Sequence, residues 1–455
     1  MKKEKVIITY GTYDMFHIGH LNILKRAKAL GDILIVGVTS EDYDRSRGKL
    51  NVVQDLDTRI KSIEALDFID KVIIEEHQHQ KEIDIQKYNV DTFVLGDDWV
   101  GKFDYLEEYC DVVYLARTKG ISSTSLRKEI KKIKLGIIGT GRIATRFSKE
   151  SSFVDSIDIK SVFSLSKVSV ENFLYKHGIL YGFTDINQFL LSDIDAVYIA
   201  SPHQFHYQQI KSSLNAGKHV LCEKPIVLEK KQLLELLTLA DKNNLILLEA
   251  LKTGFFPAFN KLLDEINKGV IGEIKEVKAT FTKLISDHTL REWQYPYGGA
   301  TLELASYPLL LAQKILGTPN NIDFYPQEKN KIDSSNRIVC QYESGAISIS
   351  TVAIGMKSEG DAVISGTEGY IYIPAPWWLT KTFIVRFEDN HKEYSFNYEL
   401  EGDGLRYEIS EFVSLITRKR TVSNRITHHD MLNINNILSK FFNLKGYIDE
   451  VDRNK

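Results

Sequence analysis

The feature that most constrains this chain is a short segment, residues 117–144, in which two anion-binding patterns adjoin. Its first half is a Ser/Thr/Gly run, residues 117–124, ahead of a helical pattern, and its second half is an apolar strand that runs into Gly139-x-Gly141-x-x-Ala144. Each pattern can present backbone N–H groups at a helix N-terminus, where phosphate binds well. No flexible linker separates the two patterns. The segment therefore indicates that one nucleotide-binding domain ends here and that another begins.

The length and the element pattern of the chain support this division. At 455 residues the chain is too long for one ordinary hydrophobic core and predicts several domains. Apolar, β-rich runs alternate with helical patterns over residues 5–252, which is typical of α/β domains with parallel sheets. Residues 273–387 are instead rich in strand patterns. We expect domains at residues 1–131, 132–252 and 253–455.

The composition excludes several classes of protein. The formal net charge is -3, so no electrostatic footprint for nucleic acid follows. No apolar run reaches the length of a membrane span, and the N-terminus lacks the features of a secretory signal. Cys110, Cys222 and Cys340 are too few and too widely spaced for a disulfide framework or a zinc site. We expect a cytoplasmic protein that binds neither nucleic acid nor membrane.

Two histidines follow the first predicted strand, Val6–Tyr10. His17 and His20 stand where that strand gives way to a helix, with Gly19 between them. Two imidazoles at such a place can donate hydrogen bonds to phosphoryl oxygens that gain charge in a transition state. Glycine lets the backbone approach a phosphate closely. Taken alone, the pair favours ordinary turn histidines or a metal pair over a phosphate site.

Three blocks, each at the end of a predicted strand, resemble the nucleotidyltransferase superfamily and, within it, the glycerol-3-phosphate cytidylyltransferases. The blocks are residues 11–20, 94–104 and 117–124, and the resemblance covers residues 5–130. It implies that His17 and His20 are catalytic and that CTP binds with Mg²⁺ on its phosphates, with no metal ligand from side chains. The residues implied to contact CTP or the acceptor are Gly11, Thr12, Tyr13, Asp14, Asp97, Trp99, Arg117, Thr118, Ser122 and Thr124.

The same family has a basic pair after its second strand, which we align with Arg47 and Lys49. Arginine in place of one lysine keeps the charge and changes the geometry. Arg59 is a weaker candidate for a phosphate contact, because the alignment leaves the length of the intervening loop open. The implied acceptor is a phosphate monoester, which is largely dianionic near neutrality and attacks the α-phosphorus of CTP without a general base. The protein then has to position the reactants and neutralise charge.

The second glycine motif has the context that a dinucleotide fold requires, since it follows the strand Ile133–Ile138 and opens a helix. The next strand, Ile159–Phe163, ends without the Asp or Glu that would bind the ribose 2′-hydroxyl of NAD. This absence favours NADP. Ser164, Ser166 and Lys167 are candidate contacts for its 2′-phosphate, and they could equally cap the next helix.

From this motif onward the chain resembles the glucose-fructose oxidoreductase and inositol dehydrogenase family, over most of residues 133–320. The resemblance implies NADP or NAD as cofactor, a following domain with an open antiparallel sheet, and a Lys224–Pro225 bond that can be cis. The residues implied to bind the cofactor are Gly139, Gly141, Arg142, Ile143, Ser164, Ser166, Lys167, Ser201, His203, His206, Glu223 and Lys224.

The family resemblance also assigns roles at the substrate. Tyr307 would exchange the proton with the substrate oxygen, and Lys224 would lie beside the substrate carbonyl. A nearby lysine is expected to lower the pKa of Tyr307 from its ordinary value near 10. Glu303 could bind a substrate hydroxyl and Arg291 a substrate phosphate. A helix that simply faces the core would show the same spacing between residues 303 and 307.

Together the two resemblances predict an α/β chain: a Rossmann-like nucleotidyltransferase domain, a dinucleotide-binding Rossmann domain and an α+β domain. They imply a bifunctional enzyme that reduces a sugar phosphate or a small phosphorylated carbonyl with NAD(P)H. CTP then converts the product to a CDP-alditol for bacterial capsule or teichoic acid synthesis. Two alternatives stay open: a glycerol-3-phosphate cytidylyltransferase joined to an oxidoreductase of unrelated substrate, or joined to a non-catalytic assembly module. Both families commonly self-associate, which predicts a homodimer or a homotetramer.

Overall fold

The computed structural model describes residues 3–77, 79–116, 118, 123, 126, 131–389 and 392–445. Contacts divide the chain into two compact units, Met1–Lys131 and Lys132–Lys455. Each unit is built on its own sheet or sheets and has its own hydrophobic core. None of the helices within the described ranges is both long and apolar enough to cross a membrane.

The first unit is built on a parallel sheet of five strands in the order β3-β2-β1-β4-β5. The strands are β1 Val6–Gly11, β2 Ile33–Thr39, β3 Lys71–Glu75, β4 Thr92–Gly96 and β5 Asp111–Leu115. The α-helices among the described residues are Ile18–Lys28, Glu41–Ser46, Leu56–Glu64 and Gln80–Lys87.

Both faces of this sheet are buried, which explains why its inner strands read as continuous apolar runs. Ile7 and Leu34 pack on one face, and Ile8 and Phe93 pack on the other. The strand order reverses between β1 and β4, which are neighbours in the sheet. Such a reversal opens a crevice outside the carboxyl ends of the two strands, where ligands bind in open α/β sheets.

The second unit begins with a parallel sheet of six strands in the order β11-β10-β9-β6-β7-β8. The strands are β6 Ile133–Ile138, β7 Ile157–Phe163, β8 Tyr181–Phe183, β9 Ala196–Ile199, β10 His219–Glu223 and β11 Leu247–Ala250. Its α-helices are Arg142–Ser151, Lys167–His177, Ile186–Leu191, His206–Asn215 and Lys230–Lys242. The strand order reverses between β6 and β9.

The chain then forms a sheet of eight strands in the order β13-β14-β15-β12-β16-β17-β18-β19. The strands are β12 Ile274–Thr282, β13 Asn321–Lys329, β14 Ile332–Gln341, β15 Ile347–Ala353, β16 Ala362–Gly366, β17 Gly369–Ile373, β18 Thr382–Phe387 and β19 Glu393–Asn397. The predicted fold class is confirmed, with one difference: β12 and β15 pair in parallel, whereas the other neighbours are antiparallel. Parallel pairing needs a long crossover, which the intervening helices and strands supply.

Five further α-helices of the second unit pack on this sheet or on the elements of its six-stranded sheet. They are Pro257–Asn267, Ala300–Leu304, Ser306–Leu316, Leu405–Thr417 and His428–Leu444. The short helix Ala300–Leu304 begins after Gly299, whose φ is +117 and whose added Cβ would lie 2.0 Å from Asp333 Oδ1. The Asp333 carboxylate accepts hydrogen bonds from the backbone N–H (2.8 Å) and the hydroxyl (2.6 Å) of Thr301. These contacts position the segment that carries Glu303 and Tyr307.

Histidines outside the predicted motifs include His428, at the start of the last helix, and His79. Thr427 and Asp430 form a capping box at the start of the last helix, which includes His428. His79 lies 3.6 Å from Glu82. Within the described part of the chain, no group of three or more His, Cys, Asp or Glu side chains is placed to hold a metal ion.

Candidate active sites

The loop after β1 holds His17 and His20 at the N-terminus of the helix Ile18–Lys28. His17 is the N-cap residue, and its Nδ1 accepts a hydrogen bond from the backbone N–H of Gly19 at 3.0 Å. Its ring stacks on that of His20, with centroids 3.9 Å apart. Because Nδ1 accepts, a neutral His17 carries its proton on Nε2, the donor that a phosphoryl oxygen requires. Nε2 lies 3.5 Å from Ser123 Oγ.

Asp44 organises three predicted phosphate ligands, although the sequence analysis did not single it out. Its fully buried carboxylate accepts hydrogen bonds through Oδ1 from Thr12 Oγ1 and from Arg47 Nη2, both at 2.8 Å. Lys49 Nζ donates to Thr12 Oγ1 at 2.9 Å. Burial raises the pKa of Asp44, and the cations of Lys49 and Arg47 oppose that rise. The sequence did offer one sign of this role, because Asp44 is an acidic residue at the start of the otherwise basic stretch 44–49.

Arg59 lies behind this loop. Its side chain is fully buried, and Nη1 donates to the carbonyl oxygens of Thr12 at 2.8 Å and Thr39 at 2.7 Å. The same atom is 3.7 Å from Asp44 Oδ2. Arg59 therefore holds the loop that carries Thr12 through backbone carbonyl oxygens, and its weaker predicted contact with a phosphate stays a prediction.

Tyr13 and Asp14 are buried as well, at 4% and 2% exposure. Asp14 Oδ1 accepts hydrogen bonds from the backbone N–H groups of Val53 (3.1 Å) and Gln54 (3.0 Å). The Tyr13 ring packs so closely on Gly11 that an added Cβ would lie 2.9 Å from it. These contacts give both side chains a positioning role in the loop, and their predicted contact with CTP stays a prediction.

The other side of the crevice is formed by the turn Asp97–Trp99, directly after β4. Asp97 is exposed, and Trp99 packs on Phe103 with ring centroids 5.7 Å apart. Thr118 Oγ1 accepts a hydrogen bond from Asn22 Nδ2 at 3.3 Å, which ties it to the helix that His17 caps. Arg117, Ser122 and Thr124 lie outside the described residues, and their contacts stay predictions.

In the second unit a cavity of ≈ 1070 Å³ opens at the reversal between β6 and β9. Gly139 has a φ of +107, and an added Cβ would lie 2.8 Å from the carbonyl oxygen of Ala200, so a side chain is excluded there. An added Cβ at Gly141 would meet no protein atom within 4 Å. The cavity thus has open space at the N-terminus of the helix Arg142–Ser151, which suits a pyrophosphate. These residues fit a dinucleotide.

The predicted cofactor residues line this cavity, with two exceptions among the described residues, Ser166 and Lys167. Ser166 Oγ caps the helix Lys167–His177 by accepting from the backbone N–H of Ser169 at 3.3 Å. Lys167 is exposed and lies 3.9 Å from Glu171. The capping interpretation therefore holds for Ser166, whereas Ser164 faces the cavity. Arg142 and Ile143 line it at the helix N-terminus.

His206 joins the loop after β9 to the Lys224–Pro225 turn, whose peptide bond is cis. Its Nε2 lies 3.0 Å from the carbonyl oxygen of Ser201, and its Nδ1 lies 3.0 Å from that of Pro225. Burial lowers the pKa of His206 to about 4, so the ring is neutral near pH 7. His206 therefore positions the cavity wall, and the Ser201 hydroxyl is itself held by Gln209 Oε1 at 2.6 Å.

Glu223 and Lys224 lie at the end of β10 on the cavity wall. Tyr198 donates its hydroxyl to Glu223 Oε1 at 2.6 Å, and burial raises the pKa of this carboxyl. Lys224 Nζ donates to the backbone carbonyl of Glu303 at 2.7 Å. The ammonium is therefore anchored to the helix that precedes Tyr307.

Tyr307 also lines the cavity, with its ring edge-to-face on Phe281. The prediction that a lysine lowers its pKa is wrong. Burial raises the pKa of Tyr307, and the carboxylates of Glu223, Glu408 and Glu249 raise it further. Tyr307 is therefore a neutral phenol that can donate its proton, as a reduction requires.

The two remaining substrate candidates contact each other. Arg291 Nη2 lies 3.1 Å from Glu303 Oε1 and 3.3 Å from Oε2, and His203 Nε2 lies 3.7 Å from Glu303 Oε1. Burial lowers the pKa of His203 well below its ordinary value, and its Nε2 donates to the carbonyl oxygen of Tyr297 at 3.1 Å. Glu303 is only 8% exposed yet lines the cavity, so the helix faces both the core and the site.

The side chains that line the cavity and that the sequence analysis missed include Arg146, Lys252, Phe281, Lys283 and Trp378. Lys252 follows the end of β11, and the rule that ligands bind at the carboxyl ends of strands could have found it. Trp378 comes from the turn after β17, far along the chain, and nothing in its local sequence points to the site.

Comparison with known proteins agrees with this geometry. Residues 8–129 match the cytidylyltransferase-like family, residues 133–251 the oxidoreductase family with an NAD-binding Rossmann fold, and residues 259–372 the GFO/IDH/MocA C-terminal domain. A glycerol-3-phosphate cytidylyltransferase from Bacillus spizizenii is 48% identical over 126 residues, which are 28% of this chain and 97% of that protein. The chain is a cytidylyltransferase-like domain fused to GFO/IDH/MocA oxidoreductase domains. Both predicted families, and the two enzyme classes they stand for, are confirmed.

Relatives of the oxidoreductase part are more distant. The scyllo-inositol 2-dehydrogenase (NADP(+)) of Bacillus subtilis is 27% identical over 331 residues, which are 70% of this chain and 99% of that protein. A crystal structure of a 3-ketoreductase from Actinomadura kijaniata with NADP and TDP-benzene superposes with a TM-score of 0.62 at 22% identity, covering 68% of this chain and 96% of that one. At that identity the likeness establishes the fold of the oxidoreductase part.

Proposed function

We propose that this fusion protein reduces a phosphorylated sugar, or a small phosphorylated carbonyl compound, to an alditol phosphate and converts that product to a CDP-alditol. The observation that supports the proposal is that each unit carries its own candidate site at the carboxyl ends of its parallel strands. Residues 1–131 would transfer the cytidylyl group, residues 132–252 would bind the cofactor, and residues 253–455 would bind the carbonyl substrate and support self-association.

In the cytidylyltransferase-like domain the protein has to orient the two reactants and to neutralise the charge of their phosphates. Thr12, Arg47 and Lys49 converge on the Asp44 carboxylate, which places two cations and a hydroxyl at the carboxyl edge of the sheet. His17 and His20 stack at the helix N-terminus beside them. The phosphate of the acceptor attacks the α-phosphorus of CTP, and pyrophosphate leaves. Donors fixed in this way stabilise the charge that develops on the phosphoryl oxygens.

In the oxidoreductase domains the nicotinamide cofactor supplies a hydride when it is bound at the Gly139–Ile143 end of the cavity. The chain supplies the proton and the orientation. Tyr307 donates its phenolic proton to the substrate oxygen, since its raised pKa keeps it protonated. Lys224, anchored on the Glu303 carbonyl, stabilises the developing alkoxide by its charge.

The cofactor proposed is NADPH. Ser164 lines the cavity where β7 ends, and no carboxylate follows that strand at the position that binds the ribose 2′-hydroxyl of NAD. A relative of the oxidoreductase part is an NADP(+) enzyme. Comparing kcat/KM for NADPH and NADH tests this, and a clear preference for NADH contradicts it.

The order of the two reactions is tested with purified enzyme, CTP, Mg²⁺, NADPH and a panel of phosphosugars, with products resolved by mass spectrometry. Our proposal expects a CDP-alditol that disappears when NADPH is omitted and returns when the matching alditol phosphate is supplied. If a CDP-sugar forms without NADPH and is reduced afterwards, cytidylyl transfer precedes reduction and the proposed order is wrong.

A second candidate is favoured by the 48% identity to a glycerol-3-phosphate cytidylyltransferase. In this case glycerol 3-phosphate is the acceptor, and the oxidoreductase domains act on an unrelated carbonyl compound. The same experiment decides, because this candidate expects CDP-glycerol from CTP and glycerol 3-phosphate alone and no oxidation of NADPH by any phosphosugar.

A further inference from the structure

One wall of the oxidoreductase cavity carries side chains to which the proposed chemistry gives no role. Phe281 lies in β12, and Lys283 follows its last residue, with its backbone N–H on the carbonyl of Ala353 at 2.8 Å. Side chains of extended chain alternate in direction, so Phe281 and Lys283 face the same side, about 7 Å apart along the chain. Both line the cavity.

The aromatic part of this wall is continuous with the proposed proton donor. Phe281 stacks on Trp378 with ring centroids 3.8 Å apart and planes at 10°, and it meets Tyr307 edge-to-face at 5.3 Å. Trp378 is half-buried and faces the cavity. Stacked rings of this kind present a large, rigid apolar surface. Such a surface suits the C–H faces of a sugar or polyol held with its carbonyl against Tyr307.

Beside the aromatic rings, the same wall carries the positively charged side chains of Lys283 and Arg291. Among the described residues, no hydrogen-bond or ion-pair partner approaches the ammonium of Lys283, whose side chain is exposed. Arg291 contacts Glu303 through Nη2, and no hydrogen bond from its Nε or Nη1 is seen among the described residues. Arg142 and Arg146 belong to the helix at the cofactor end. The charge of Arg291 is paired with Glu303, so Lys283 is the cation of this wall that has no carboxylate partner among the described residues.

We propose that Phe281 and Trp378 bind the carbon skeleton of the substrate beside Tyr307, and that Lys283, together with Arg291, binds its phosphoryl group. This rests on the proposed reductase function and narrows its substrate to a phosphorylated sugar. Arginine and lysine are the side chains that bind phosphoryl oxygens most effectively, through charge-assisted hydrogen bonds. A free sugar phosphate and a nucleotide ester of the same sugar share this phosphoryl group.

The test compares three forms of each ketose with the full-length enzyme and NADPH: dihydroxyacetone, ribulose and fructose, their terminal phosphates, and the CDP esters of those phosphates. Steady-state kcat/KM is measured for the wild type, Lys283→Ala, Lys283→Arg and Trp378→Leu. Lys278→Ala is the matched control, because Lys278 is an exposed lysine of β12 that is not among the residues lining the cavity.

For whichever phosphorylated form the wild type reduces best, Lys283→Ala should lower kcat/KM by about ten- to a hundred-fold, the equivalent of one charge-assisted hydrogen bond. It should leave the unphosphorylated ketose unchanged, and Lys283→Arg should recover most of the loss. Trp378→Leu should impair phosphorylated and unphosphorylated forms alike. Equal effects of Lys283→Ala on both forms, or none beyond Lys278→Ala, overturn the proposal. The form preferred, free phosphate or CDP ester, identifies the source of the phosphoryl group.

Calorimetric titration of fructose 6-phosphate into the NADP⁺-loaded proteins separates this inference from the proposed function. If the wild type reduces none of these compounds but binds this phosphate at least ten-fold more tightly than Lys283→Ala does, the subsite stands and the proposed reduction fails. Any binding at the cytidylyltransferase-like domain is common to all variants and cancels in the comparison. Equal binding by the wild type and Lys283→Ala overturns the subsite.

Discussion

At the scale of single residues, Tyr307 shows how the environment sets a chemical role. Burial raises its pKa, and three carboxylates raise it further. The phenol should therefore stay protonated beyond pH 10, where a free tyrosine ionises, and remain able to donate a proton to the substrate.

We expect Tyr307→Phe to lower kcat for NADPH-dependent reduction by about 10²- to 10⁴-fold, the usual contribution of a positioned proton donor. An ultraviolet difference titration of the wild type against Tyr307→Phe should show no tyrosinate from Tyr307 below pH 10. Tyr325→Phe, at an exposed tyrosine of β13, is the control for kcat and should leave it unchanged. A tyrosinate signal centred near pH 8 would mean that a cation does activate Tyr307.

The buried carboxyl of Asp333 should make the free energy of unfolding depend on pH. Its carboxyl is 1% exposed, and burial raises its pKa to about 7, against the hydrogen bonds from Thr301. The unfolded chain releases this proton near pH 4, whereas the folded protein keeps it up to about pH 7. The contribution of Asp333 to the free energy of unfolding therefore falls as pH rises between those values and is constant above.

Asp333→Asn removes this dependence while it keeps an oxygen that accepts from Thr301. Between pH 5 and pH 7 the variant should gain about 2–3 kcal/mol relative to the wild type, since one pKa unit corresponds to about 1.4 kcal/mol. Urea unfolding at pH 5, 6 and 7 measures the difference. Stability curves that run parallel across this range would show that Asp333 is ionised in the folded protein.

At the scale of elements, one ion pair joins the helix Arg142–Ser151, which begins at the cavity, to the helix Leu405–Thr417. Glu150 and Arg406 are 5% and 4% exposed, and two guanidinium nitrogens of Arg406 meet the two carboxylate oxygens of Glu150 at 3.0 Å each. The guanidinium also lies 3.7 Å over the ring of Phe153. Helices more than 250 residues apart in sequence are tied together by this contact.

We expect Glu150→Ala to lower the free energy of unfolding of the second unit by about 3 kcal/mol, because it leaves a buried guanidinium with only a peripheral partner. Glu150→Met combined with Arg406→Met should recover most of that loss. The second unit holds Trp293, Trp377 and Trp378, so tryptophan fluorescence in urea follows it. Glu171→Ala, which breaks an exposed pair, should cause no measurable change; an additive double mutant would show that the pair is not coupled.

At the scale of the whole molecule, two sheets with separate ligand crevices imply that the two activities are separable. His20→Ala should lower cytidylyl transfer by about 10²- to 10³-fold, the loss expected when a donor to developing charge is removed. NADPH oxidation should stay near the wild-type rate. Tyr307→Phe should do the reverse. Loss of both activities in either folded variant, as assayed by pyrophosphate release and by absorbance of NADPH, would mean that the sites are not independent.

Much of this molecule follows from local sequence patterns. Alternating strands and helices predict the parallel sheets, since each element has to bury an apolar face. The residues in the connections that follow strands, such as His17, Gly139 and Lys224, are found by the same reasoning, because the carboxyl ends of parallel strands share one edge of the sheet. These features depend on neighbours within a few positions along the chain.

The remaining features depend on residues that are distant in sequence and meet only in the folded protein. The pKa of Tyr307 rises because Glu223, Glu249 and Glu408, from three separate segments, meet around it in a buried space. Arg59 is fully buried and supports the loop that carries Thr12 by donating hydrogen bonds to backbone carbonyl oxygens. Trp378 lines the cavity although it comes from a turn after β17. Burial and charge act through space, so a linear pattern carries no record of which segments will meet.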